Sequence, residues 1–148
     1  MPVTNRQGFI LSTTNIIAGN HNDQFELTKN LKSIFADLRR LGIKVVGAVF
    51  NMDMGFDTKS ARKVCFNRQV KPNIPENRRN RVRSKPGPKR YFDAVRYANR
   101  FSIERTFAWV DKFKRLLIRF ERKDVYFKGW HFLAFFLINL RHVLKAKV

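Results

Sequence analysis

The pattern of hydrophobic and polar residues predicts alternating strands and helices in the first third of the chain. Apolar and β-branched residues over 8–17 favour a strand that ends in a Gly-Asn turn. Residues 24–41 carry apolar side chains at helical spacing, with Asp23 as the expected N-cap and Gly42 as the expected end of the helix. The apolar run 43–50 is typical of a strand buried inside a sheet.

A second helix is predicted over 58–69, and an extended segment follows it. This helix would pack through Ala61, Val64, Cys65 and Phe66. Residues 72–75 are expected to form an edge strand or an extended turn, because proline cannot donate to a sheet ladder. Cys65 is the only cysteine, which excludes an internal disulfide and predicts a buried structural thiol.

Two long helices are predicted in the C-terminal half. Residues 93–122 contain neither Gly nor Pro, and Asp93 is the expected N-cap. One side of this helix is apolar and carries Val95, Trp109, Phe113, Leu116, Leu117 and Phe120. A final helix over 124–147 begins at Asp124 and has an apolar stripe of Phe127, Trp130, Ala134, Leu137 and Leu144. The order of elements predicts an α/β fold, with a short sheet flanked by helices and two long C-terminal helices.

The charge of the chain points to a polyanionic partner. Its 31 Lys and Arg residues against 11 Asp and Glu give a net charge of +20. Seven of the cations fall within 77–90, which we interpret as a mobile basic loop that contacts phosphates: Arg78, Arg79, Arg81, Arg83, Lys85, Lys89 and Arg90. Nucleic acid is the commonest such partner, although an anionic membrane or ribosomal RNA would suit the charge equally well. The apolar stretch 130–140 is too short to span a bilayer.

Two acidic residues stand out as candidate ligands of a metal ion. Asp53 follows the apolar run 43–50, at the end of a strand where open α/β sheets place their sites. Glu104 lies among arginines on the polar side of the predicted helix 93–122. It either holds a metal ion while the arginines bind phosphates, or forms an intrahelical ion pair with Arg100 on a solvated face.

The histidines offer no comparable site. His131 and His142 lie about three turns apart on the last predicted helix, which is too far for them to share one metal ion. We interpret them and His21 as surface or interfacial residues. The N-terminus lacks the pattern of a signal peptide, so a cytoplasmic location is expected.

Two short motifs resemble those of the DDE transposases of bacterial insertion sequences. The run Tyr97-x-x-Arg100-x-x-x-Glu104-Arg105 is similar to the C-terminal signature of that family. Seven residues after Glu104, where the family has a basic residue, this chain has Asp111 with Lys112 beside it. The run Asp53-Met54-Gly55-Phe56-Asp57 resembles the motif of the second catalytic acid, and Asp57 is expected to cap the next helix.

The resemblance implies a partial RNase H-like fold and Mg²⁺-dependent cleavage and strand transfer at the ends of an insertion sequence. Asp53 and Glu104 would be the catalytic acids and would bind two Mg²⁺ ions in the complete enzyme. The DNA backbone would contact the basic loop together with Arg100, Arg105 and Lys112. Tyr97 would position Glu104 or a nucleotide. The implied partners are element-end and target DNA, a second copy or an intact transposase, in the nucleoid-associated cytoplasm.

The resemblance covers the C-terminal part of such an enzyme. In that family the first catalytic Asp lies on an earlier strand, whereas no acidic residue precedes Asp23 in this chain. We therefore expect a truncated catalytic domain that is inactive by itself. The alternative function is a non-catalytic basic DNA-binding protein or an inhibitor of intact transposase. A ribosome-associated basic protein has only the charge in its favour.

Overall fold

The computed structural model describes residues 1–17, 21–22, 24–77 and 90–145. The chain divides into two compact units, which we call the terminal unit (1–17 and 99–148) and the central unit (18–98). The strands are β1 (Pro2–Thr4), β2 (Ile10–Thr13), β3 (Val49–Asn51) and β4 (Lys71–Asn73). The helices are α1 (Leu27–Arg40), α2 (Lys59–Phe66), α3 (Ala94–Ala98), α4 (Phe101–Val110), α5 (Lys114–Leu117) and α6 (Asp124–Lys145).

The terminal unit begins with a hairpin in which β1 pairs antiparallel with β2. The side chain of Asn5 builds the turn, since its Oδ1 accepts hydrogen bonds from the backbone amides of Gln7 and Phe9 at 3.0 and 2.9 Å. Gly8 has a φ of +97°, which a residue with a side chain rarely adopts. The predicted strand 8–17 is confirmed over its central four residues, while its pairing with β1 was not predicted.

Helix α6 packs against this hairpin. Asn139 acts like a neighbouring strand, because its Oδ1 accepts from the Ile10 amide at 2.8 Å and its Nδ2 donates to the Ile10 carbonyl at 2.9 Å. Ile10, Phe135 and Ile138 form a buried cluster. The predicted final helix is confirmed, but its buried face is shifted from the predicted stripe, since Leu144 is 58% exposed. No helix in the described part of the chain has the length and apolar character that crossing a membrane requires.

The prediction of one continuous helix over 93–122 is wrong. The structure contains three separate helices, α3, α4 and α5, and extended backbone at Phe113 and Ile118 flanks the last of them. Packing explains the division. Val95 is 81% exposed, whereas Trp109 and Phe113 pack against the buried cluster of the terminal unit. Residues that shared one face of the predicted helix therefore differ in burial, and tertiary packing overrides propensity. Only α6 is a long C-terminal helix.

The central unit contains the predicted first helix, observed as α1. Gly42, with a φ of +72°, ends it as predicted. The Gly42 amide bonds the Arg39 carbonyl at 3.0 Å and the Ile43 amide bonds the Leu38 carbonyl at 2.9 Å, which is a Schellman motif. The apolar face is buried through Leu27, Leu31, Ile34, Phe35 and Leu38. Asp23, the predicted N-cap, lies outside the described residues.

The predicted strand 43–50 is wrong over most of its length. Only Val49–Asn51 forms a strand, because Gly47 adopts a φ of +77° and turns the backbone before it. β3 pairs parallel with β4, and Asn51 lies opposite Asn73. The predicted extended segment 72–75 overlaps β4. The described residues thus form a mixed α/β fold with two small sheets and helices.

Helix α2 packs in the central unit largely as expected. Ala61, Val64 and Cys65 are buried, but Phe66 is 62% exposed, so its predicted place in the core is wrong. Burial raises the pKa of the Cys65 thiol to about 11. The nearby charges of Arg62 and Arg68 lower this pKa, but their effect is smaller than that of burial. The prediction of a buried thiol is confirmed.

His142 lies half-buried in the terminal unit rather than on the surface. Its ring lies 5.1 Å from that of Phe9 and 5.0 Å from that of Trp109, measured between centroids. The Nε2 atom is buried and has no hydrogen-bond partner in the described part of the protein. Burial lowers the pKa of His142, and the positive charges of Arg105, Lys145 and Arg141 lower it further.

We expect the free energy of unfolding to decrease as the pH falls below the ordinary histidine pKa of 6.5. The unfolded chain then binds a proton that the folded His142 still excludes, and stability is lost until the pH has passed through the folded pKa. Urea unfolding at a series of pH values between about 7.5 and 5 measures this slope. His142→Gln should flatten it and the control His21→Gln should not. An unchanged slope in His142→Gln would contradict the prediction.

Candidate active site

Asp53 and Tyr97 meet in the central unit. Asp53 lies two residues after the end of β3 and directly precedes a short 3₁₀ turn, Met54–Phe56; its side chain is exposed. The Tyr97 hydroxyl donates a hydrogen bond to Asp53 Oδ1 at 3.0 Å. The Tyr97 ring packs against Phe92, with 5.3 Å between the centroids. Tyr97 therefore positions the carboxylate of Asp53, a contact that the sequence did not indicate.

A buried asparagine brings Tyr97 to Asp53. Asn73 is 0% exposed, and its Oδ1 accepts from the Asp93 amide at 2.7 Å while its Nδ2 donates to the Asp93 carbonyl at 2.9 Å. The same Nδ2 donates to Asn51 Oδ1 at 2.8 Å, and Asn51 Nδ2 donates to the Arg96 carbonyl at 2.8 Å. These bonds join the start of α3 to the paired strands β3 and β4.

Asp93 completes this arrangement as the N-cap that its position predicted. Its Oδ1 accepts from the Arg96 amide at 2.9 Å. The helix is therefore held at its first turn by backbone and side-chain bonds, and Tyr97 follows on the next turn. Sequence reasoning missed Asn51 and Asn73, although asparagine is depleted in strands and each of these two ends a short strand, which was a usable signal.

Asp57, four residues after Asp53, has a different role from the one predicted. Thr58 caps α2, since its Oγ1 accepts from the Ala61 amide at 3.1 Å. The prediction that Asp57 is this cap is wrong. Its side chain is 1% exposed and accepts from Arg62 Nε at 2.7 Å and from Arg90 Nη1 at 2.8 Å. The carboxylate is enclosed by cations because α2 directs Arg62 back toward it.

The Asp57 carboxylate also bonds both flanks of the basic segment. Its Oδ2 accepts from the Asn77 amide at 3.0 Å, and Arg90 contacts its Oδ1. Burial alone would raise the pKa of Asp57, but the hydrogen bonds from Asn77 and Arg62 and the charges of Arg62 and Arg90 lower it below its usual range. The other predicted phosphate contacts of this segment, at positions 78, 79, 81, 83, 85 and 89, lie outside the described residues.

Glu104 lies on α4 in the terminal unit. Helix α4 turns Ser102 and Thr106 inward, where Ser102 Oγ lies 3.1 Å from Thr4 Oγ1 and Thr106 is 1% exposed. Glu104 is left on the outer side, with its side chain 50% exposed. Arg100 Nε lies 3.0 Å from Glu104 Oε1, so the ion pair of the alternative interpretation is present. A pair this exposed contributes little to stability.

The other predicted DNA contacts of this region are exposed. Arg105 and Lys112 both face solvent, and the Arg105 guanidinium lies 5.9 Å from the centroid of the Trp109 ring. Asp53 belongs to the central unit with Tyr97, and Glu104 belongs to the terminal unit with Arg100. Tyr97 and Arg100, from the same run, thus each contact one of the two acids.

The family described as "Transposase DDE domain" matches residues 3–140 of the 148-residue chain. The chain belongs to this family of DDE transposase domains. No curated protein and no solved structure matches it significantly. Membership supports a role in DNA transposition, with DNA as the substrate. DDE transposase domains generally use divalent metal ions.

The two candidate acids of this transposase domain fit such an ion by their chemistry. Both offer the hard oxygen ligands that Mg²⁺ prefers. The neutral hydroxyl of Tyr97 leaves the negative charge of Asp53 in place, and a carboxylate has enough lone pairs to accept from Arg100 and bind a cation. Among the described residues, no three His, Cys, Asp or Glu side chains form a cluster that could hold a metal ion.

We expect Asn73→Ala to destabilise the transposase domain by about 2–3 kcal/mol, because it removes a buried side chain that bonds the backbone of Asp93 and the side chain of Asn51. Asn67→Ala, at an exposed position after α2, is the matched control and should change stability by less than about 0.5 kcal/mol. Urea unfolding monitored by circular dichroism measures both. Equal stability of the two variants would contradict the role assigned to Asn73.

We expect Asp57→Asn to destabilise the domain by about 3 kcal/mol, since Arg62 and Arg90 lose the counter-charge of an enclosed pair. Asp53→Asn, in the same motif but exposed, should change the free energy of unfolding by less than about 1 kcal/mol. The comparison is made by urea unfolding at neutral pH. It would be contradicted if the two substitutions had equal effects.

The lowered pKa of Asp57 gives this difference a pH dependence. The stabilisation is complete above the usual aspartate pKa of 3.8 and is lost as the pH falls through the lower folded value. The gap in stability between the wild type and Asp57→Asn should therefore persist at about pH 5 and close only in stronger acid.

Proposed function

We propose that this chain carries two catalytic acids, Asp53 and Glu104, of an RNase H-like transposase that cuts and joins DNA at the ends of an insertion sequence. The observation that supports this most is the hydrogen bond from Tyr97 to Asp53. The two motifs that resemble the family lie 44 residues apart in sequence, yet a residue of one orients the acid of the other. Chance motif matches would not be expected to make such a contact.

Asp53 and Glu104 would hold Mg²⁺ through their carboxylate oxygens. When bound, a pair of Mg²⁺ ions activates the attacking hydroxyl and stabilises the leaving oxygen in phosphodiester chemistry. Tyr97 contributes by fixing one oxygen of Asp53, which reduces the rotational freedom that a metal ligand would lose on binding. Arg100 pairs with Glu104 and adds positive charge beside it, which favours an approaching phosphate.

The DNA backbone is bound by the positive surface. The net charge of +20 supplies a strong, salt-dependent attraction, and the exposed Arg105 and Lys112 lie on and just after the helix that carries Glu104. The segment 77–90 contributes its cations to this surface, and Asp57 joins its two end residues, Asn77 and Arg90. Arg90 serves as part of that junction, because its guanidinium is bonded to Asp57.

A third carboxylate completes the site in the enzyme that performs transposition. The resemblance assigns only two acids to these 148 residues. We therefore expect the purified chain to bind DNA without cutting it, and to act together with a segment that supplies the first Asp, or in association with another transposase chain. The alternative is an inhibitor that binds DNA or intact transposase and has no catalytic role.

The test is the transposition frequency of the element that encodes this chain. Asp53→Asn and Glu104→Gln should each lower it about 100-fold or more, the scale of loss when a group that stabilises developing charge is removed. Asp37→Asn and Glu26→Gln are matched controls, since both acids form surface ion pairs in α1 or just before it. DNA affinity should stay equal or rise slightly, because each substitution removes a negative charge.

Transposition at the wild-type frequency in both variants would contradict the catalytic assignment. The inhibitor function makes a different prediction. In that case the wild-type chain lowers the frequency of transposition by an intact transposase of the family. If the Asp53→Asn and Glu104→Gln variants lower this frequency as much as the wild type does, inhibition does not need the two acids and the alternative is favoured.

A further inference from the structure

A groove of about 550 Å³ lies on the central unit beside α2 and β4. Its size falls within the roughly 300–1,000 Å³ typical of ligand sites. Lys59, Lys63 and Phe66 line it from α2, Lys71 from β4 and Tyr91 from the segment before α3. None of these side chains belongs to the candidate active site.

The groove carries positive charge that the fold does not neutralise. Lys59, Lys63 and Lys71 are exposed, and none of them forms an ion pair with any residue that the structure describes. Arg62 and Arg90 also line it. Their shared counter-ion Asp57 is 1% exposed and balances only one of the two guanidinium charges. An anionic ligand is therefore favoured over a neutral or cationic one.

Two exposed aromatic rings accompany these cations. Phe66 is 62% exposed and Tyr91 is 46% exposed, so neither ring contributes much to the core. Lys59, Lys63 and Phe66 follow one another at intervals of four and three residues, which puts them on one face of α2. Lysines beside exposed rings are the arrangement with which proteins bind single-stranded nucleic acid, the lysines at the phosphates and the rings against the bases.

We infer that this groove binds unpaired nucleotides of DNA. The inference rests on the DNA binding of the proposed function and specifies the form of DNA that this surface takes. Bases within a duplex are stacked on each other and offer no free face to Phe66 or Tyr91. Unpaired bases do, and the lysines hold the phosphates on either side of them.

The experiment measures fluorescence anisotropy of the purified full-length chain with two labelled probes, an oligothymidylate of about 15 nucleotides and a duplex of similar length. Phe66→Ala and Tyr91→Ala should each weaken binding of the single strand about 5- to 150-fold, the loss expected for one stacked base. Duplex affinity should change less than about twofold. Tyr91→Phe, which keeps the ring, should bind like the wild type.

Charge is tested in the same assay. Lys63→Gln should reduce the dependence of log K on log salt by about 0.7 for the single strand, whereas the exposed Lys44 outside the groove should give no change when replaced by Gln. Tyr126→Ala, which removes an exposed tyrosine from α6, is the control for loss of a surface ring. Circular dichroism of each variant verifies folding, which surface substitutions should preserve.

The outcomes separate this inference from the proposed function. If the wild type binds neither probe, DNA binding itself is wrong. If the wild type binds DNA but Phe66→Ala and Tyr91→Ala have no effect, or weaken duplex and single strand equally, the groove is not a site for unpaired nucleotides, while the proposed function stands.

Discussion

The fully buried carboxamide of Asn73 is the interaction on which the central unit depends. The side-chain oxygen and nitrogen of Asn73 together bond both backbone groups of Asp93 and the side chain of Asn51. Burying such a group is costly unless each polar atom finds a partner, and here each does. The result of these bonds is a fixed position for the start of α3. Because α3 is fixed at its first turn, Tyr97 meets Asp53 although both lie near the surface. The exposed acid therefore owes its orientation to a framework that is buried beneath it, and the chemistry of the site and its support are carried by different residues.

Two aspartates four positions apart show how surroundings separate function from structure. Asp53 is exposed and accepts a hydrogen bond from the neutral hydroxyl of Tyr97. Asp57 is enclosed and faces two guanidinium groups and a backbone amide, so its charge is already used. A short 3₁₀ turn lies between them, and it separates an exposed carboxylate from an enclosed one. A motif that repeats one residue type can thus supply a ligand at one position and a structural anchor at the other.

Local signals in the sequence predicted those features that local chemistry decides. Gly42 ends α1 because its positive φ is cheap only for glycine, and Asp93 caps α3 because its side chain reaches the amide three residues on. The family was likewise identified, since the motifs that resemble it are contiguous. What failed depends on distant partners. The run 93–122 looked like one helix until Val95 and Trp109 proved to lie in different surroundings. The cap was assigned to Asp57 because its pairing with Arg90, 33 residues away, leaves no trace in the local pattern.

The bonds from Asp57 to Asn77 and Arg90 also bear on how this domain can vary. They hold Asn77 and Arg90 to one carboxylate, so the two residues that flank the stretch 78–89 are joined by the fold itself. Once such ends are joined, doubling the length between them adds only about 0.6 kcal/mol of closure entropy. The stretch between the two ends can thus be lengthened, shortened or replaced with little change in the free energy of unfolding. A change in the length of this stretch therefore leaves the hydrogen bond between Tyr97 and Asp53 in place.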